Sequence, residues 1–261
     1  DNDKERLKEQ INDMIDNKYE FKHINGLTAK QLDNMEITNY FDNKLIVIDE
    51  VHNIINGMAS EGSMRAIRLN ELFMNANNCK FVFLSGTPMK NIPFEIGKLY
   101  NILRGKIISN EIKLDFQNSK KINYDKIEDE LSNNNKIDQI FIDKKTKLIK
   151  ITRNPYEFIR SKKGLIKDES NKLTELEFEN ELREYFKKNN IKIKNYDKNE
   201  LTLFPDNNKD FMDMFYDPIN NEIKNQDMFQ RRIMGLTSFY GAADKDLIPD
   251  INSKSILYVP M

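Results

Sequence analysis

Two short apolar runs, each ending in a polar signature, constrain this chain more than any other feature. Lys44 to Ile48 runs into Asp49-Glu50-Val51-His52, and Lys80 to Leu84 runs into Ser85-Gly86-Thr87-Pro88. Short apolar runs with polar ends fit strands buried in a parallel sheet. Between them, Arg65 to Ala76 has helical spacing, with Ile67, Leu69, Leu72, Phe73 and Ala76 available for packing. Strand, helix, strand is the rhythm of an α/β layer. Open α/β sheets bind ligands beyond the C-terminal ends of their strands, so both signatures are expected at one sheet edge.

The same rhythm extends over residues 1–108. Leu7, Ile11, Met14 and Ile15 share one face of a predicted helix, and Tyr19 to His23 reads as a strand. Thr28-Ala29-Lys30-Gln31 matches a helix capping box. Phe94 to Leu103 is a further predicted helix, with Pro93 at its first turn. The texture then changes. Residues 109–136 read as a mobile connection, because Gln117 to Lys136 is polar and Asn-rich. From 137 to 261 an α+β region is expected. Ile137 to Ile142 and Leu148 to Thr152 flank a turn and predict a hairpin, and Thr174-Glu175-Leu176-Glu177 opens a helix to about Lys188. Short helices are predicted around Phe211, Met212 and Phe215, and over Gln226 to Gly235.

Composition excludes several classes. The single cysteine, Cys79, rules out an intramolecular disulfide framework and a cysteine-based zinc cluster, and favours a reducing, intracellular setting. With 41 basic and 42 acidic residues, global charge gives no attraction to nucleic acid, so any such contact needs a local basic face. No apolar stretch approaches the ~20 residues of a membrane span, and Asp1-Asn2-Asp3-Lys4 is not a signal peptide. The chain begins without Met, in a helical pattern, as expected of a piece of something longer.

The chemistry sits in the two signatures. Nucleotide hydrolysis needs Mg²⁺ on the β- and γ-phosphates and a carboxylate that positions water. Asp49 is the candidate Mg²⁺ ligand, through water because Mg²⁺ dehydrates reluctantly. Glu50 is the candidate catalytic carboxylate. His52 lies within the same nucleotide site and relays to Ser85 or Thr87 by hydrogen bonding. A competing reading makes the acids a helix start and Ser85-Gly86-Thr87-Pro88 an ordinary turn. Elsewhere, His23 reads as structural. Arg153, Arg231 and Arg232 read as helix-surface or ion-pair residues, with phosphate contact as the alternative. Lys144-Lys145 and Lys162-Lys163 read as solvated turn charges.

Asp49 to His52 resembles motif II of superfamily 2 helicases in its DExH form. Leu84 to Asn91, followed by Glu95, Leu99, Asn101, Ile102 and Leu103, is similar to motif III of the Swi/Snf-type branch. Tyr19 to Leu27, Thr152 to Pro155, Phe229 to Tyr240 and Leu257 to Met261 resemble helicases of nucleocytoplasmic large DNA viruses, a group related to the poxvirus early-transcription-factor ATPase. The resemblance implies a partial RecA-like parallel sheet followed by a bridging lobe. It also implies ATP and Mg²⁺ as cofactors, and Ser85, Gly86 and Thr87 as coupling residues alongside His52. Nucleic acid is the implied partner, DNA ahead of RNA, with a viral RNA polymerase as a second. No membrane association is implied, and the setting would be host cytoplasm, viral factory or virion.

The departures are equally specific. Only Gly97 and Gly105 precede a lysine, and neither lysine precedes Ser or Thr, so no Gly-x-x-x-x-Gly-Lys-Ser/Thr loop exists in these 261 residues. The resemblance places that loop before residue 1 and has a second motor lobe, with its arginine finger, beginning near Tyr258 to Met261. A truncated motor is expected, inactive alone. The rival reading is a non-catalytic module that binds nucleic acid or polymerase on a motor fold.

Overall fold

The computed structural model describes residues 2–60, 62–115, 122–161 and 164–238. Lys162-Lys163, Phe239-Tyr240 and Leu257 to Met261 lie outside them. Helix α1 spans Asn2–Lys18. Its apolar stripe is exposed, with Leu7, Ile11, Met14 and Ile15 all facing solvent. Tyr19 to His23 is not a strand but an irregular segment leading to a 3-10 turn at Ile24–Gly26. Tyr19 and Phe21 are exposed. Helix α2, Ala29–Ile37, starts at Thr28 with the full reciprocal capping box to Gln31.

Strand β1 is Leu45–Ile48, helix α3 His52–Ala59, helix α4 Met64–Asn75, and strand β2 Lys80–Phe83. The two strands pair in parallel, Ile46 opposite Phe81 and Ile48 opposite Phe83. Ile48 is buried, but Leu45 and Val47 are 65% and 56% exposed, so the expected burial holds for one face of the pair. Helix α5, Phe94–Arg104, follows. The α/β character is as expected, while two described parallel strands are too few to show a RecA-like sheet.

Gly105, at φ 71°, ends α5 and turns the chain into strand β3, Ile107–Leu114. Only glycine adopts such a conformation without strain. Helix α6 (Tyr124–Ser132), strands β4 (Ile137–Asp143) and β5 (Leu148–Arg153), a small hairpin of β6 (Phe158–Ser161) and β7 (Gly164–Lys167), helix α7 (Glu175–Lys188) and strand β8 (Ile193–Leu201) complete this unit. The sheet order is β4-β5-β3-β8, with every neighbour antiparallel. Setting the small hairpin aside, the chain order is β-α-β-β-α-β, the split β-α-β arrangement. Residues 109–136, expected as a mobile connection, thus contain most of a central strand and the amphipathic helix α6, which buries Ile127 and Leu131.

Two cores result. In the four-stranded unit, Ile112, Leu114, Ile149 and Ile151 pack with Phe178, Leu182 and Phe186 of α7 and with α6, so both helices cover one sheet face. The other core joins α2, α3, α4 and α5 to a later segment. That segment carries Leu203 and Phe204, then helix α8 (Asn208–Phe215), a short pairing of β9 (Tyr216–Asp217) with β10 (Glu222–Ile223), and helix α9 (Gln226–Ile233). Residues after 201 therefore pack back on the first core instead of extending the four-stranded unit. Phe94 and Phe211 meet at 5.6 Å across this seam.

Candidate active site

The backbone brings the two signatures together. The Leu84 N–H donates to the Ile48 carbonyl at 2.9 Å, and the Val51 N–H donates to the Leu84 carbonyl at 3.2 Å. The first bond carries the parallel ladder past Phe83, and the second ties the Asp49-Glu50 turn to the end of β2. Val51 is buried and fixes the turn to the core, so Asp49 and Glu50 on its outer side are exposed. Glu50 has φ 49°, a left-handed conformation that costs a glutamate of the order of 1–2 kcal/mol. The Asp49 carboxylate accepts from the Glu50 N–H at 2.9 Å and braces that conformation.

His52 opens α3 and is 8% exposed. Its Nδ1 is 2.9 Å from Ser85 Oγ, 3.2 Å from Glu50 Oε2 and 3.5 Å from Thr87 Oγ1. Ser85 Oγ also accepts from the Thr87 N–H at 3.1 Å. Three oxygens converge on one ring nitrogen, so the tautomer decides the pattern. With Nδ1 protonated, the ring donates to Ser85 or Glu50. With Nδ1 bare, a hydroxyl donates to the ring. The Glu50 carboxylate and the Ser85 turn thereby share one ring nitrogen.

Asp49, Glu50, His52, Ser85 and Thr87 are gathered at one sheet edge. Gly86 lies in the same turn, but its φ is not positive and a Cβ there would meet nothing within 4 Å, so local sterics do not demand glycine. Among the described residues no group of three His, Cys, Asp or Glu side chains could hold a metal ion. An exposed carboxylate at the edge fits Mg²⁺, which keeps most of its waters and shares its remaining positions with phosphate oxygens. A cavity of about 550 Å³, lined in part by Leu45, Cys79, Lys80 and Arg104, lies at the opposite, N-terminal ends of these strands and takes no part in the arrangement.

Three arginines find different surroundings. Arg153 pairs with Glu175 at the start of α7. Arg232 takes the ion-pair role: its side chain, 8% exposed, lies 3.4 Å from the Asp138 carboxylate, and it donates to the Leu203 carbonyl at 2.5 Å and to Gln139 Oε1 at 2.7 Å. Arg231 Nε is buried without a hydrogen-bond partner. Beyond its place in the motif III resemblance, sequence reasoning gave no chemistry to Glu95, which is fully buried. Its carboxylate accepts from the Lys90, Asn91 and Ile92 N–H groups at 2.6, 3.1 and 3.3 Å. An acid in the first turn of a predicted helix, just after a polar turn, is the signal that pointed to it.

Part of the chain is similar to proteins of large DNA viruses. Over 66 residues, 24% of this chain, it is 35% identical to the termination factor NPH-I homologs of several African swine fever virus isolates, covering 9% of their length. Over 65 residues, 25% of this chain, it is 40% identical to a mimivirus protein provisionally named ATP-dependent RNA helicase L377, covering 5% of it. No family model and no solved structure matches the chain. These partial similarities support a helicase-like character in general terms.

Proposed function

We propose that this chain is part of an ATP-dependent helicase or translocase that couples Mg-ATP hydrolysis to movement on nucleic acid, in viral transcription or genome handling. One observation carries the reading: Asp49-Glu50 and Ser85-Thr87 follow paired parallel strands at one edge, with His52 Nδ1 2.9 Å from Ser85 Oγ. Asp49 would hold Mg²⁺ through water, and that ion supplies charge neutralisation on the transferred phosphate. Glu50 orients and activates the attacking water. When its carboxylate turns from His52 to that water, the Nδ1 position is left to Ser85 and Thr87, so the hydroxyl turn registers the state of the nucleotide site. DNA is the favoured track, and a viral RNA polymerase is the candidate protein partner.

The test joins these residues to an upstream phosphate-binding loop and a downstream second lobe, and measures Mg-ATPase with and without nucleic acid. Ser85→Ala with Thr87→Ala should keep basal turnover within a few-fold and lose nucleic-acid stimulation, at about 1 kcal/mol per bond removed. Unchanged stimulation in the folded variant removes the coupling role. Loss of melting temperature and all activities together would mean that the hydroxyls only fix the turn.

A further inference from the structure

Helix α5 is gripped at both ends by buried polar groups. At its start, Glu95 binds three consecutive N–H groups of the loop that continues from Ser85-Gly86-Thr87-Pro88. Two turns on, Asn101, 1% exposed, forms a two-way bond with the Phe204 backbone. Its Nδ2 donates to the Phe204 carbonyl at 3.0 Å, and the Phe204 N–H donates to its Oδ1 at 2.7 Å. Lys98 donates to the Asp206 carbonyl at 2.8 Å. The same short segment is held from the other side by Arg232, which donates to Leu203 and reaches β4 through Gln139 at 2.7 Å and Asp138 at 3.4 Å. The C-terminus of α5 turns at Gly105 directly into β3.

We infer that α5 and residues 203–206 form a strut between the Ser85–Ile92 loop and the four-stranded unit, with Glu95, Asn101 and Arg232 as its positioning residues. Buried side chains bonded to backbone leave little slack, because each polar group that loses its partner there has no water to replace it. Displacement of the loop therefore moves α5 with it, and the helix carries Phe204 and, through Arg232, strand β4. The strut also gives Arg232 a place in the molecule: it braces β4 against the 203–206 segment. Coupling of this kind is reciprocal, so perturbing either end must be felt at the other.

Its functional meaning rests on the proposed hydrolysis site, but its test needs no nucleotide, so the two can fail separately. Backbone amide exchange in the 261-residue chain is compared for Glu95→Gln and Asn101→Ala. Asn101→Ala should accelerate exchange at Phe204 directly and at Lys90, Asn91 and Ile92 by about tenfold, within the range of coupled sites. Glu95→Gln should do the reverse, accelerating Phe204 from the far end. Leu32 and Met35 in α2, a helix that packs on α4, serve as references and should not change. Glu95→Gln, which keeps the shape and an acceptor oxygen, carries the same test if the alanine variant does not fold. A far end that stays at its native rate in these variants overturns the strut. So does equal acceleration of the Leu32 and Met35 amides, which would mean general destabilisation.

Discussion

The four-stranded unit and the parallel pair use the same kinds of side chain to different ends. In the unit, strands β3 and β5 are sealed by α6 and α7, and Ile112, Ile149 and Ile151 are 0% exposed. In the parallel pair, one face meets the core through Ile46, Ile48, Phe81 and Phe83, while Leu45, Val47, Val82 and Leu84 line an open face. Parallel sheets are ordinarily covered on both faces. The antiparallel unit needs no second cover, because its other face is polar, with Lys150 paired to Glu111 at 2.7 Å. The region with the specific chemistry is thus the one whose packing among the described residues is incomplete.

The largest expected effect separates the two regions. Phe178→Ala, at 1% exposure, should cost about 3–5 kcal/mol in urea denaturation. Val82→Ala on the open face should cost less than about 1 kcal/mol. Similar losses would break the comparison, since they would mean that the open face is covered in solution. Gly97→Ala probes the seam between α5 and α8. A Cβ there would lie 2.8 Å from Cδ2 and Cε2 of the Phe211 ring, which is itself buried. Overpacking of about 1–3 kcal/mol should outweigh the ~1 kcal/mol gained from helix propensity. A gain in melting temperature would show that the seam yields.

The smallest effect concerns acid. Hydrogen bonds from Lys198 and Arg183 hold the Glu179 carboxyl below its ordinary value. A lowered folded pKa contributes stability above the unfolded value and loses it as pH falls through the folded one. Glu179→Gln should therefore cost under about 1 kcal/mol at neutral pH, as for other partly exposed pairs, and nothing once the native carboxyl is protonated. A constant difference across that range would assign the effect to packing.

Legibility in the sequence followed the same division. Strand ends with sharp polar signatures were readable because chemistry and fold impose them together, and the β1–β2 pairing with the His52–Ser85 contact followed from them. The capping boxes at Thr28 and Thr174 were local and needed no tertiary knowledge. Strand β8 was hidden because Lys-Asn-Tyr-Asp-Lys-Asn-Glu has almost no apolar alternation. An edge strand can be held by its backbone ladder to β3 and by pairs such as Lys198–Glu179 at 2.6 Å. Helix α6 was lost in Asn-rich surroundings although Ile127 and Leu131 have helical spacing. Asn101 and Arg232 bind backbone groups distant in sequence, and that kind of partner leaves no local pattern, whereas Glu95 binds N–H groups only three to five residues away.

Glu50→Gln gives the most direct measurement of the central claim, made in a protein that joins these residues to a phosphate-binding loop and a second lobe. Glutamine keeps the shape at position 50 and removes the carboxylate that would act on water. Steady-state Mg-ATPase and nucleotide affinity are measured on the same preparation. Turnover should fall by about a hundredfold or more, on the scale of losing a positioned general base, with nucleotide affinity retained. Turnover near the parental rate would contradict it and remove Glu50 as the catalytic carboxylate.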